Sequence, residues 1–230
     1  MAALEEGEPV PRIKSFIKRV GRMTSGQRVA LDTLWEQYCL DPEKSYDFTA
    51  VFGNDAPTIL EIGFGNGESL AKTALANPDK NYIGIEVHKP GVGSLLLQLD
   101  RDNITNVRVF YHDAIEILEN CVAEQSLAAV HLFFPDPWHK RKHHKRRIVR
   151  DSFMQLLAVK IKSGGYFHTA TDWEHYAKHM LKILVVAENF TNQNTEHAYC
   201  PRPEYRPLTK FEQRGLRLGH GVWDLIFQRV

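Results

Sequence analysis

Residues 58–68 read TILEIGFGNGE, from Thr58 to Glu68, and this stretch decides the fold. Thr58 to Ile62 is a short apolar run bounded by turn residues, which predicts a buried strand. Glycine then stands at 63, 65 and 67, and Glu68 opens a helical stretch that continues to Ala76 and is stopped by Pro78. A strand running through glycines into a helix begins a βαβ unit, and the glycines let a ligand approach the backbone closely. The spacing is GxGxG and not the GxGxxG of dinucleotide enzymes, with Glu61 before the first glycine and Glu68 after the last. Taken alone, such a turn is equally compatible with a structural role.

Working outward, short apolar runs alternate with amphipathic stretches. Further strands are predicted over 82–87, 107–111, 127–134 and 165–169, with helices over 92–101, 114–123, 148–162 and 173–188. A strand-like Phe190 and a last strand over 222–227 suggest an antiparallel hairpin at the carboxyl end of a mainly parallel, seven-stranded α/β sheet. Residues 1–50 show no glycine-bounded strand. They carry Arg12, Lys14, Lys18, Arg19 and Arg22 ahead of a helical stretch from Gln27 to Tyr38, and are expected to form a basic, partly mobile extension to a domain spanning 51–230.

With 230 residues, 43% of them hydrophobic, the chain can bury one sizeable core. Cys39, Cys121 and Cys200 are odd in number and far apart, so neither a disulfide framework nor a CxxC metal pair is indicated and a reducing compartment fits. No segment approaches the roughly 18 apolar residues of a membrane span, and the opening Met1 to Glu6 lacks a signal-peptide pattern. A soluble, cytoplasmic protein is expected. The net charge is +1, yet Lys140, Arg141, Lys142, Lys145, Arg146, Arg147 and Arg150 place seven positive charges in one segment without an acid, leaving −6 elsewhere. An acidic body with one basic strip is suited to a polyanion.

Three acids fall at the ends of three successive predicted strands. Glu61 ends the first. Glu86 ends the second, about 20 residues beyond the glycines, where a carboxylate grips ribose hydroxyls. Asp113 follows the third, where it can accept from an adenine amino group or simply cap the next helix. Together they outline an adenosine site. The fourth strand delivers Phe133, Phe134, Pro135, Asp136, Pro137 and Trp138 to the same edge. The prolines stiffen the backbone and project Asp136, while Trp138 offers a face for stacking a flat base. His139 to Arg147 follow at once, and their adjacency to that pocket favours phosphate contact over a merely solvated loop. His139, His143 and His144 lack a cysteine or carboxylate at ligand spacing and lie among cations, so no metal is expected. Asp172 either caps a helix or meets a ligand, and the same choice between surface loop and crevice lid stands for the segment from Arg206 to Glu212.

The chain resembles the bacterial tRNA (guanine-N7)-methyltransferase family. The likeness rests on LEIGFGNG at 60–67, GIEVHKPGVG at 84–93, PDPWHKRKHHKRR at 135–147, TDWEHYA at 171–177 and RPLTKFEQRGLRLGH at 206–220, in that order. It runs from the basic stretch at Phe16 to Gln27 to the final strand. The resemblance implies a class I, Rossmann-like methyltransferase fold, with S-adenosylmethionine held by Glu61, Gly63, Gly65, Gly67, Glu86, Asp113 and Asp136, the last also at the catalytic position. It further implies substrate contacts by Lys140, Asp172, Thr209, Lys210, Phe211 and Glu212, and RNA contacts by Lys142, His143, His144, Lys145, Arg146 and Arg147. The substrate would be a variable-loop guanine of tRNA, methylated at N7, in a monomer or homodimer without metal. Three rival readings stay open at this point. They are an amino-nitrogen methyltransferase acting on RNA or another planar amide or amine, a nicotinamide-dependent oxidoreductase, which the glycine spacing disfavours, and a non-catalytic RNA-binding protein.

Overall fold

The structure is a computed structural model in which residues 13–17, 21–217, 219 and 221–230 are described. The expected mobility of residues 1–12, and the basic Arg12, Lys18 and Arg19, lie outside them.

Strands β1 (Thr58–Ile62), β2 (Asn81–Ile85), β3 (Val107–Phe110), β4 (Leu127–Phe133) and β5 (Ile161–Thr171) run parallel. Strands β6 (Phe190–Asn192) and β7 (Trp223–Arg229) complete the sheet in the order β3-β2-β1-β4-β5-β7-β6, with β7 antiparallel to both its neighbours. Every residue of β1 and β2 is buried, as expected for parallel strands covered on both faces. On one face pack α6 (Ala114–Asn120), α7 (Asp151–Lys160) and α8 (Glu174–Val185), with a core that includes Leu60, Ile62, Ile83, Val130 and Phe167. On the other pack α1 (Ser25–Thr33), α4 (Glu68–Ala76) and α5 (Lys89–Arg101), around Ile59, Tyr82, Leu95 and Val107. Each such fully buried aliphatic side chain contributes about 1.5–3 kcal/mol.

Residues 25–52 are packed onto this framework rather than trailing from it. Helix α1 starts with a capping box between Thr24 and Gln27 and lies so close to α5 that a side chain at Gly93 would collide with the Gln27 carbonyl. After α2 (Trp35–Tyr38), Leu40 N–H bonds the Val109 carbonyl and Tyr46 N–H bonds that of Cys121. Phe48, in α3 (Phe48–Phe52), enters the core, so residue 50 falls inside a docked helix.

The edges of several elements differ from expectation. The helix predicted from Ile148 starts at Asp151, because Ile148 and Val149 are buried as irregular backbone. Strand β5 begins directly where α7 ends and passes through Gly164 at φ +79°, so its first half was hidden by a glycine pair that resembles a turn. The helix predicted to reach Ala123 stops at Asn120, where Cys121 turns its carbonyl to Tyr46. Strand order reverses on either side of β1, whose neighbours are β2 and β4. The crevice beyond the carboxyl ends of those strands is where a parallel sheet of this kind receives a ligand.

Candidate functional site at the carboxyl edge of the sheet

The turn after β1 takes Gly63, Gly65 and Gly67 through φ of +75°, +62° and +78°. A Cβ at Gly63 or Gly65 would meet no atom of the protein, so both present bare backbone to open space, whereas one at Gly67 would strike Leu95. The Gly65 carbonyl lies against Gly91, which leaves no room there for a side chain. Asn66 accepts the Glu68 N–H through its side chain and Gln98 binds its carbonyl, so it braces the turn from outside.

Glu86, just past β2, is buried and accepts three backbone N–H groups. Oε2 takes that of Gly65 at 2.8 Å, and Oε1 takes those of Val87 at 2.7 Å and His88 at 2.9 Å. With two donors on Oε1 and one on Oε2, acceptor capacity for a ligand remains on Oε2. Asp113 caps α6 through the Ile115 N–H at 3.0 Å and is buried as well, so the capping role expected as a rival is present. Glu61 behaves differently. It is buried on the sheet face opposite Ile62, with Gly84 and His131 as its neighbours across the strands, and accepts no hydrogen bond from the described residues. Burial raises its carboxyl to about 7.

A cavity of about 240 Å³ opens at this edge, walled by Gly63, Glu86, Val87, Phe133, Asp136 and Ile148 among others. A smaller recess containing Asp113 adjoins it and shares Phe16, Val87 and His112. The structure therefore brings Gly63, Glu86 and Asp136 to one cavity and Asp113 to its margin, while Glu61 stands behind the glycine turn and lines neither. Sequence reasoning missed Ser15 and Phe16, which reach the cavity from the amino-terminal segment. Trp138 Nε1 donates to the Ser15 carbonyl at 3.1 Å. The only sequence signal was that the family likeness begins at Phe16.

Asp136 is exposed at the cavity wall on a strained turn. Phe134 and Trp138, on either side of the Pro135–Asp136–Pro137 unit, both have left-handed φ, +51° and +49°. Such residues cost on the order of 1–3 kcal/mol each and gather at sites where geometry matters more than stability. Trp138 is not a free stacking surface, for the Arg146 guanidinium lies over its ring at 5.2 Å.

The basic strip forms a 3₁₀ turn, Arg141–Arg146. Lys140, Arg141, Lys142 and Lys145 are exposed, and His143, His144 and Arg146 are half-buried. Partial burial and the surrounding cations hold His143 below the ordinary histidine value, and burial with Arg147 nearby does the same to His144. Arg147, expected among the RNA contacts, lies apart from its exposed neighbours. It is 2% exposed, donates through Nε to the Pro137 carbonyl at 3.0 Å, approaches His175 Nδ1 at 3.1 Å and lies over the Tyr176 ring. A guanidinium committed inward in this way braces the turn.

Asp172, half-buried beyond β5, is not the cap of α8. That position belongs to Trp173, whose N–H goes to Thr171, and the Asp172 carboxylate has no hydrogen-bond partner among the described residues. Thr209 Oγ1 accepts the Glu212 N–H at 3.1 Å and so starts α9 (Lys210–Arg217). The side chains of Lys210 and Phe211 lie outside the described residues. Glu212, expected among the substrate contacts, is held within the protein. It is 3% exposed, and both its oxygens are bound by the Arg206 guanidinium at 2.7 and 2.8 Å, so it faces inward and not toward the crevice. Among the described residues no three histidine, cysteine or acidic side chains gather to hold a metal, and no helix is long and apolar enough to cross a membrane.

A family model described as "Putative methyltransferase" matches residues 55–225. A tRNA (guanine-N(7)-)-methyltransferase of Hydrogenovibrio crunogenus is 57% identical over 220 residues, covering 95% of this chain and 92% of the relative. Proteins of the same name from Shewanella amazonensis and Pseudoalteromonas translucida are 54% identical, covering 98% and 99% of this chain and 95% of each relative. Among solved structures, the 16S rRNA methyltransferase KamB superposes with a TM-score of 0.55 at 14% identity, covering 95% of this chain and 98% of that one. The antibiotic-resistance methyltransferase Kmr gives the same score and identity over 80% of this chain and 92% of its own. At such identity the likeness concerns the fold alone, which this chain shares with these methyltransferases. With a model matching most of the chain and relatives this similar along nearly its whole length, the chain belongs to the tRNA (guanine-N7)-methyltransferase family.

Proposed function

We propose that this protein transfers a methyl group from S-adenosylmethionine to N7 of a variable-loop guanine in tRNA. The observation that carries the reading is the place of Asp136, exposed on the wall of the cavity that Gly63 and Glu86 also line, four residues ahead of a strip of solvent-facing cations. The names of relatives 54–57% identical supply the acceptor.

The cavity suits the cofactor. Bare backbone at Gly63 and Gly65 admits close contact, Glu86 Oε2 can still accept from a ribose hydroxyl, and Asp113 at the cavity margin can accept from an adenine amino group. Gly67 spaces the turn against α5, and Glu61 lies behind it as a carboxylate that a nearby ammonium group would ionise. Bound there, S-adenosylmethionine supplies a methyl group activated by its sulfonium.

Guanine N7 carries an in-plane lone pair, so forming the N–CH₃ bond as the S–CH₃ bond breaks removes no proton. The chain is asked for alignment and for stabilisation of positive charge developing on the base. Asp136 serves both, accepting from the Watson–Crick edge of the guanine and offsetting the charge of the product. Asp172, whose carboxylate has no hydrogen-bond partner among the described residues, and Thr209 would meet the same base, and Lys140 its flanking phosphate. Lys142, Lys145 and Arg146, with neutral His143 and His144 between them, follow the RNA backbone. The base leaves its stack to reach the cavity.

Incubation with unmodified tRNA and labelled cofactor, followed by borohydride and aniline treatment, is expected to cleave the RNA at one variable-loop position, since only the N7-methylated cationic ring opens under those conditions. Asp136→Asn is expected to lower kcat by on the order of 100-fold. Label that resists the chemistry would redirect the reading to an amino nitrogen, and RNA binding without any transfer would end it.

A further inference from the structure

Beneath the crevice lies a buried ionic cluster that the reading above does not use. Arg206 is 1% exposed. Its Nε and Nη2 donate to Asp224 of β7 at 2.7 and 2.9 Å, and its Nη1 and Nη2 donate to Glu212 of α9 at 2.7 and 2.8 Å. One planar fork thus binds two carboxylates, each through both oxygens. The guanidinium also lies 5.8 Å from the Phe133 ring centre and 5.7 Å from that of Phe134, the two residues that lead into Pro135 and Asp136. Asp224 accepts His168 Nε2 at 2.8 Å as well, and Tyr205, next to Arg206, bonds His168 Nδ1 at 2.9 Å and stacks on His131.

Among the described residues of the thirty between β6 and β7, Gln193 N–H bonds the Ile226 carbonyl at the start and Tyr199 packs against the core. Cys200 N–H bonds the Asp224 carbonyl, and α9 is their one helix. The segment carrying Thr209 therefore takes its position from Tyr205 and Arg206. A cluster of this kind is a poor source of stability, because an apolar replacement of similar volume is often as stable; what it fixes is geometry. Lysine could not substitute, since a single ammonium cannot span two carboxylates in a bidentate manner.

We propose that Arg206 is a positioning residue for methyl transfer. By gripping Glu212 and Asp224 together while lying on Phe133 and Phe134, it locks the Thr209–Glu212 segment in register with Asp136, so that both sides of the base pocket are set by one guanidinium. The inference rests on the placement of the base between Asp136 and Thr209 given above.

The test uses the full chain with Arg206→Lys and Arg206→Met, measuring kcat and KM for tRNA, calorimetric affinity for S-adenosylhomocysteine, and thermal unfolding. Arg206 lines no wall of the cavity, so cofactor affinity and KM are expected to stay within about threefold of wild type while kcat falls by at least about tenfold, a change of about 1.4 kcal/mol in barrier. A variant that binds the cofactor normally and turns over within twofold of wild type would overturn the proposal. So would loss of cofactor binding and turnover together in both variants, which marks a residue needed only for folding. Asp136→Asn and Thr209→Ala run in parallel. Full activity there would sink the pocket assignment itself, whereas impairment there with normal Arg206 variants would sink only this inference.

Discussion

Glu86 and Asp224 stand at the same edge of one sheet, on strands of opposite halves, and their partners differ in kind. Glu86 is held by three backbone N–H groups, one from the glycine turn and two from the residues that follow Glu86 itself. Asp224 is held by side chains, Arg206 and His168; burial works against its charge, but their bonds outweigh that and keep the carboxyl below its usual range. The first arrangement orders a carboxylate and leaves it able to accept more, as a ligand-binding group must. The second consumes it. Glu86 beyond β2 stays available, as do Asp136 beyond β4 and Asp172 beyond β5, while Asp224 on β7 and Glu212 on α9 are taken up by Arg206 and His168.

Asp224→Asn should show the largest effect. It leaves Arg206 buried with half its partners, and a loss of about 3–5 kcal/mol in urea unfolding is expected; a loss below about 1 kcal/mol would erase the contrast. Glu86→Gln should reverse the pattern. Affinity for S-adenosylhomocysteine should fall by about 10- to 100-fold, or about 1.5–3 kcal/mol, by calorimetry, with a smaller change in unfolding; the opposite ranking would show that Glu86 is chiefly structural. The smallest effect concerns Glu61. Its folded value near 7 lies above an unfolded value near 4.5, so the stability it lends as a neutral group is full below about 4.5 and gone as the pH rises through 7. Cofactor binding that favours the carboxylate runs the other way, with affinity improving on going from pH 6 to pH 8 by at most about tenfold. Glu61→Gln should flatten that dependence, and an unchanged slope in the variant would place the titration elsewhere.

The same contrast explains what the sequence discloses. The strand at Thr58–Ile62 and the helix at Glu68–Ala76 have the bounds read from the residues, because an apolar run, three glycines and Pro78 are local signals. Glu86 was legible for a related reason: backbone donors are present in every chain, so only its distance from the glycines had to be noticed. Arg147 and Glu212 were not legible. In a run of nine basic and histidine residues nothing local separates the one that turns inward, and Glu212 among polar neighbours looks solvated until Arg206 is seen beneath it. Asp224 left a trace, as the lone charge between Trp223 and Phe227 in an apolar strand, but its partners lie 18 and 56 residues away. Pairings between distant side chains are written in three dimensions only.

Strand β7 comes last in sequence yet sits between β5 and β6. While the ribosome is still extending the polypeptide, β5 therefore keeps an open row of backbone donors and acceptors on one side, and three-residue β6 has nothing to dock against. A naked strand edge invites association with other chains. Assembly of this protein accordingly has a vulnerable interval, and it closes only when Asp224 and its flanking residues emerge to zip the two edges together.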